Sequence, residues 1–256
     1  MIRISLIIPA HNEEDYLPCL LGSIEIARRH FSFGPDSIEV IVVDNQSTDD
    51  TAAIAIGQGC RVVEEEKRII AAVRNAGARV AQGEIIAFTD ADNILHPDTF
   101  NEIEKIMASP KVVGGSTGVR LDRMSPGIAC AYAIVVPMVW VTGMDTGVVF
   151  CRNRDFQDLG GYNENHLFGE DVDFLWRLIK LGRSRGQRLV RIRKCKAITS
   201  TRKFDQFGEW HYPLLAAKYF WSLIVRSYSI EDFARTYWYS DRGSARKEPI
   251  SKVEES

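Results

Sequence analysis

No covalent framework is legible in this chain. Its five cysteines, Cys19, Cys60, Cys130, Cys151 and Cys195, are odd in number, far apart and without a C-x-x-C pair. That spacing excludes a disulfide scaffold and a thiolate zinc site, and it fits a reducing cytoplasm best. Net charge is almost missing as well. Against 34 acidic residues stand 32 basic ones, leaving −2, so there is no overall basic field to draw in nucleic acid and no bias toward a partner of either sign. The opening "MIRISLIIPAHNEED" has only a short apolar run and no small-residue cleavage site, so it reads as a first strand and not as a leader. No internal repeat appears. With 256 residues, one large α/β domain or two small ones can bury a sizeable core without staples.

Charge is absent altogether from Met124 to Met144, "MSPGIACAYAIVVPMVWVTGM". A run of that length can cross a bilayer, but Pro126, Gly127, Pro137 and Gly143 interrupt it, so buried core and an apolar cleft wall are expected instead. In Trp210 to Ser227, "WHYPLLAAKYFWSLIVRS", the aromatic residues and the flanking Lys218 and Arg226 suit core packing first and a helix on a membrane interface second. Peripheral contact at the inner membrane face therefore stays open. The last stretch, residues 241–256, is polar and charged with no apolar face and is expected to be a disordered tail.

What is present is a regular alternation of β-rich runs and amphipathic helical stretches, the signature of βαβ units. Strands are expected at Ile2 to Pro9, Ile38 to Asp44, Arg61 to Glu64, Glu84 to Asp90 and Val112 to Val119. Helices are expected from near Glu13, from the Ser47-Thr48-Asp49 cluster, from near Ile69 and from Pro97, where a first-turn proline is tolerated. Continuous apolar runs such as "VIVVD" and "EIIAF" imply burial on both faces. The expected fold is α/β: one Rossmann-like domain with a mostly parallel central sheet flanked by helices, plus a C-terminal helical extension. Residues 1–120 would form the first half of this domain and 121–240 its second half with the C-terminal extension. Beyond Val119 the pattern loosens, with a strand "TGVVFCR", a helix "DVDFLWRLIKLG" and a basic strand "QRLVRIRKCK" still readable.

The chemistry is concentrated in carboxylates. Asp90 and Asp92 stand one residue apart where "EIIAFTDADN" leaves its strand, and like charges that close resist ionisation unless a cation or a hydrogen-bond network holds them. In open α/β sheets ligands bind beyond the carboxyl ends of the strands. Asp44 ends a second strand and "PAHNEE" a first, so these acids are expected to share a crevice. Oxygen ligands without paired His or Cys point to Mg²⁺ or Mn²⁺, which usually bring phosphate. Taken singly, Asp90-Ala91-Asp92 and Asp44 are equally good turn and helix caps.

Four blocks, "SLIIPAHNEEDYL", "EVIVVDNQSTDDT", "RNAGARVAQGEIIAFTDADNILHPD" and "GGYNENHLFGEDVDFLWRLIKLG", resemble in this order the family 2 glycosyltransferases of the A-type nucleotide-sugar fold, over residues 3 to about 182. The resemblance implies a nucleotide-diphospho-sugar donor, with Pro9, Ala10, Asn12 and Glu14 lining the base and ribose pocket and Asp44 bonding the base or ribose. It implies that Asp90, Ala91 and Asp92 form the D-x-D segment on the ribose and diphosphate, with Asp92 the ligand of a Mg²⁺ or Mn²⁺ ion. Arg74, Asn75 and Gly77 match a segment that packs over the nucleotide, where Arg74 would neutralise phosphate or simply be an exposed helix arginine. Asp171 of "GED" matches the general base of an inverting transfer, although either acid there also suits a helix N-terminus.

The Q-x-x-R-W block of processive members is missing, which implies one sugar per encounter. In its place "ITSTRKFDQFGEW" offers Arg202 and Lys203 to the diphosphate. The acceptor hydroxyl is unidentified. Apolarity after Val119 leans toward a lipid-linked acceptor, with Asp145 also on that face, and hence toward polysaccharide or glycolipid biosynthesis. Two rival readings exist. A nucleotidyltransferase would need a Gly- and Arg-rich loop after strand one, which "PAHNEED" lacks. A catalytically dead nucleotide-sugar sensor would have no reason to keep Asp90, Asp92 and Asp171 together.

Overall fold

The computed structural model describes residues 1–133, 145–166 and 169–210. Its strands are β1 (Ile4–Ala10), β2 (Ile38–Asp44), β3 (Arg61–Glu64), β4 (Ile85–Phe88), β5 (Asn93–Ile94), β6 (Val112–Leu121), β7 (Val149–Arg152) and β8 (Arg188–Thr199). Helices are α1 (Leu17–His30), α2 (Thr51–Gly57), α3 (Ile70–Val80), α4 (Thr99–Met107), α5 (Asn153–Asp158), α6 (Glu170–Ser184) and α7 (Arg202–Phe207), with residues 126–133 also helical. Each helix start expected in the first half falls within a few residues of its place.

One sheet runs in the order β3-β2-β1-β4-β7-β6-β8-β5. The first four strands are parallel, with Ala10 beside Asp44, Asp44 beside Glu64 and Ile7 beside Phe88. The rest departs from the parallel expectation. Strand β7 enters antiparallel between β4 and β6, pairing Ile86 with Cys151 and Gly115 with Phe150, and β5 pairs antiparallel with β8. An apolar run such as "VVFC" is buried on both faces whichever way it points, so composition does not carry direction. Chain order 3-2-1-4 makes the crossovers diverge between β1 and β4, and ligands of open sheets bind at such a switch.

Helices cover both faces. On one, Leu17, Leu20 and Ile24 of α1 and Phe100, Ile103 and Met107 of α4 pack on Leu6, Ile8 and Val42. On the other, α3, α5 and α6 bury Val73, Phe156, Phe174 and Leu178 against Ile7, Ile41, Val43 and Ile86. Full burial contributes about 1.5–3 kcal/mol per large apolar side chain, so these layers fix where the strand ends lie. Gly77 is a contact of this layer: a Cβ there would stand 2.5 Å from Ile7 Cγ2 and 2.9 Å from Val43 Cγ2. It seats α3 on β1 and β2, which accounts for the residue without any nucleotide.

Packing divides the chain into two units, one holding the described residues up to 120 and from 145 to 199, the other residues 121–133 and 200–210. In the second, Arg123 bonds Asp205, Glu209 (2.8 Å) and Thr201 Oγ1 (3.0 Å), and Thr201 N donates to Asp122 Oδ1 (3.0 Å). Most of Met124 to Met144, nearly all of Trp210 to Ser227 and the 241–256 tail lie outside the described residues, as does the helical extension beyond α7. No described helix is long and apolar enough to cross a membrane.

Candidate active site

Three loops leave the carboxyl ends of β1, β2 and β4. The first two are tied into one ledge. Asn12 N donates to Ser47 Oγ (3.0 Å), Asn12 Oδ1 accepts from Thr48 N (2.8 Å), Glu14 N donates to Asp49 Oδ2 (3.1 Å) and Glu14 Oε2 accepts from Asp50 N (3.1 Å). The side chains of Asn12 and Glu14 are thus engaged with the β2–α2 loop. Asn12 also sits in the left-handed region at φ 53°, a conformation Asn tolerates better than most residues. Pro9 pairs with Val43 inside β1, and the Ala10 carbonyl accepts from Asn45 N at 2.8 Å.

Asp44 lies beside Ala10 at the lip of this ledge. Ser47 N donates to its Oδ2 at 3.4 Å, whereas its Oδ1 is buried with no hydrogen-bond partner. A buried acceptor without a donor costs about 1–3 kcal/mol, which a ligand N–H or O–H at that point would recover.

The D-x-D turn is held from below by a residue the sequence reading passed over. Asn93 is buried, donates to Thr89 Oγ1 (2.9 Å) and to the Gly147 carbonyl (3.4 Å), and accepts from Thr199 Oγ1 (2.6 Å); its own N–H closes the turn on the Asp90 carbonyl at 3.2 Å. The signal was present in "DADN" as an Asn right after the acids. Ala91 is buried in the turn, and Asp92 is largely buried too.

Arg74 is the centre of the site. It projects from α3 with its side chain only 4 % exposed, and its NH2 donates to Asp90 Oδ1 (2.8 Å) while its NH1 donates to Glu170 Oε1 (2.9 Å) and to Asp171 Oδ1 (2.5 Å). Arg74 therefore reaches carboxylates in this structure, and the exposed-arginine alternative is overturned. Burial alone would lower its pKa, but Asp171 and Asp90 outweigh it and hold the guanidinium firmly charged. Its Cζ lies 5.3 Å from the Tyr162 ring centroid, above a cluster in which Tyr162 meets Phe88 at 5.1 Å and Phe174 at 4.7 Å. The Tyr162 hydroxyl is buried without a hydrogen-bond partner, and burial followed by the Asp171 charge pushes its pKa well up.

Next to Arg74, Asn75 latches the preceding loop. It donates to the Tyr162 carbonyl (2.9 Å) and Glu164 Oε1 (3.1 Å) and accepts from Tyr162 N (2.8 Å), while Lys67 pairs with Glu164. Gly161 is required there: its φ is 73°, and a Cβ would meet Asn75 Oδ1 at 2.6 Å. The "RN" pair of α3 thus binds the glycine-rich loop and the GED acids together.

Glu170 and Asp171 open α6 after Gly169 at φ 72°, so the helix-dipole reading holds as well. They share one guanidinium nitrogen. Burial, opposed by Arg74 and reinforced by Asp171, raises the Glu170 pKa to about 7. The Asp145 carboxylate is buried and paired with Arg191 (2.5 Å). Arg202 opens α7 in the second unit, its N–H donating to Ser200 Oγ at 3.1 Å.

Among the described residues no three His, Cys, Asp or Glu converge to hold a metal. Asp92 offers a hard oxygen beside no thiolate, and Mg²⁺-type ions are commonly held by one or two carboxylates completed by phosphate oxygens, so the residues fit an ion that arrives with a diphosphate.

Residues 5–125 match the family described as glycosyl transferase family 2. An uncharacterised glycosyltransferase of Mycobacterium tuberculosis is 36 % identical over 89 residues, which is 35 % of this chain and only 36 % of that protein's length. S. aureus TarS in complex with UDP-GlcNAc superposes with TM-score 0.61 at 20 % identity, over 78 % of this chain and 59 % of that one. The mannosyltransferase PcManGT of Pyrobaculum calidifontis, in complex with GDP-Man and Mn²⁺, superposes with TM-score 0.60 at 23 % identity, over 76 % and 56 %. At these identities the solved structures speak for the fold alone. The fold and the family match agree with the four sequence blocks: over residues 5–125 the chain is similar to the family 2 glycosyltransferases.

Proposed function

We propose that this protein is an inverting, metal-dependent glycosyltransferase that moves one sugar from a nucleotide-diphospho-sugar to an acceptor hydroxyl. The observation that carries the reading is the single guanidinium of Arg74 bonded at once to Asp90 and Asp171. It supports a donor-side acid and a base gathered at one site. Asp44 Oδ1 accepts from the base or ribose, the Asp90-Ala91-Asp92 turn meets the ribose and diphosphate, and Asp92 would hold a Mg²⁺ or Mn²⁺ ion. When bound, that ion neutralises charge on the departing diphosphate.

Asp171 takes the proton of the acceptor hydroxyl as the hydroxyl oxygen bonds to the anomeric carbon. The bond from that carbon to the diphosphate oxygen breaks on the opposite face, inverting the configuration. A diphosphate leaves as an anion, so one carboxylate suffices where a glycosidase needs two. Arg74 fixes the orientation of Asp171. PcManGT with GDP-Man and Mn²⁺ lends the donor and metal assignments support by likeness.

A thermal-shift screen of nucleotide sugars with Mn²⁺ tests the reading. A donor at a hundred times its Kd should stabilise by about 2.7 kcal/mol, and the product's anomeric configuration follows from NMR. No shift with any donor contradicts the proposal, and so does a product of retained configuration.

A further inference from the structure

Between Phe174 and Thr199 the chain carries nine Lys and Arg and no Asp or Glu, in a protein whose formal total is −2. Three of these charges are neutralised by acids from outside the segment: Arg177 by Asp173 (2.8 Å), Arg185 by Asp155 (2.6 Å) and Asp158 (3.1 Å), and Arg191 by Asp145 (2.5 Å). Lys180, Arg183, Arg188, Lys194 and Lys196 are exposed, and among the described residues none has a carboxylate within 4.0 Å.

Lys180, Arg183, Lys194 and Lys196 share a side of the sheet. Along β8, Cys195 and Ala197 are buried in the layer formed with α1 and α4, so the alternating Lys194 and Lys196 point to the opposite side. That is the side on which α6 packs, through Phe174, Leu175 and Leu178. On α6 itself, Val172, Trp176, Lys180 and Arg183 recur at intervals of four, four and three and form one stripe. Its first half is apolar and open to solvent, Val172 at 37 % and Trp176 at 44 %, and its second half is basic. Arg188 follows the turn in which Gln187 N donates to the Gly182 carbonyl at 2.8 Å.

We propose that α6 and β8 form a face that docks on an anionic lipid bilayer, with Trp176 and Val172 entering the headgroup region and the Lys and Arg side chains meeting lipid phosphates. The argument is charge complementarity joined to an exposed indole and a branched aliphatic one turn apart, which suits an interface of apolar and anionic layers better than a purely polar polyanion. Resting on the reading of Asp171 as base, the face has a functional consequence. Val172 directly follows Asp171, so docking here presents that base to hydroxyls carried at a membrane surface.

The test is co-sedimentation of the full chain with sucrose-loaded phosphatidylcholine vesicles, with and without about 30 % phosphatidylglycerol. The anionic vesicles should bind the protein, neutral vesicles should bind at least about tenfold less, and about 0.5 M NaCl should abolish the difference. Removing four charges (Lys180→Gln, Arg183→Gln, Lys194→Gln, Lys196→Gln) should weaken binding by roughly a hundredfold or more, at about fivefold per charge. Trp176→Ala should weaken it on its own.

A control that removes four exposed charges elsewhere (Arg29→Gln, Arg61→Gln, Lys105→Gln, Arg154→Gln) should bind like the parent. The proposal is overturned if the two four-charge variants behave alike, if binding ignores phosphatidylglycerol, or if single-stranded DNA is bound more tightly than vesicles at the same salt. The donor-induced thermal shift of the four-charge variant should equal the parent's, which keeps a failed docking face apart from a failed donor assignment.

Discussion

Arg74 of α3 bonds Asp171 in the first turn of α6 at 2.5 Å, although 97 residues separate them in the chain. The same guanidinium holds Asp90 after β4. Three elements that diverge in sequence are therefore referenced to one planar, five-donor fork, which lysine cannot imitate.

Arg74→Ala should be the most damaging single change at the site. It leaves Glu170 and Asp171 close together in a buried place without their cation, and breaking a buried pair costs about 3–5 kcal/mol. Urea melts should reveal that loss. Arg74→Lys should recover part of the stability but not the turnover, because a single ammonium cannot serve both Asp90 and the two GED acids.

Glu170 gives a pH signature. Its pKa is raised from the ordinary carboxylate range to about 7, so the folded state holds a proton the unfolded chain has released. The stability tied to that proton is fully present below pH 4 to 5, declines as pH rises, and is gone above about 7. Glu170→Gln removes the titration while keeping the shape. Its Tm should match the parent's near pH 5 and exceed it at pH 8. Equal differences at both pH values would contradict the assignment.

Asn93 should act through the turn it supports. Asn93→Ala strands the Thr89 and Thr199 hydroxyls and the Gly147 carbonyl, a loss of about 1–3 kcal/mol in stability. Because the D-x-D turn is then no longer anchored, KM for the donor should rise by more than kcat falls. Donor titrations of initial rate separate the two.

Asp44 Oδ1 is a buried acceptor without a hydrogen-bond partner, so Asp44→Ala should leave the melting temperature of the free protein nearly unchanged. Affinity for a nucleoside diphosphate with Mn²⁺, measured by calorimetry, should fall by roughly tenfold or more.

Much of this was readable from residues alone. The parallel half of the fold follows from apolar runs such as "VIVVD" and from strand-ending acids, since burial on both faces and chain reversal leave local marks. Strand direction in the second half does not: β7 is nearly as apolar as β4, and an apolar run is buried on both faces whichever way it points. At the site, Asp44, Asp90, Asp92 and Asp171 stand out as carboxylates where strands end or a helix begins. Arg74 was ambiguous because a helix arginine reads the same whether it faces solvent or three carboxylates. Asn93 went unseen because its partners, Thr89, Gly147 and Thr199, come from distant segments that only the fold brings together. Asn12 and Glu14 matched a nucleotide segment, yet their side chains brace the neighbouring loop.

The account turns on Asp171 as the group that activates the acceptor while the donor is held independently. The most direct measurement compares Asp171→Asn with the parent in donor affinity and in nucleoside diphosphate release, using the donor and acceptor that support turnover. The expected result is unchanged donor affinity with release slowed by about 10³-fold. Release within about tenfold of the parent's rate would contradict it.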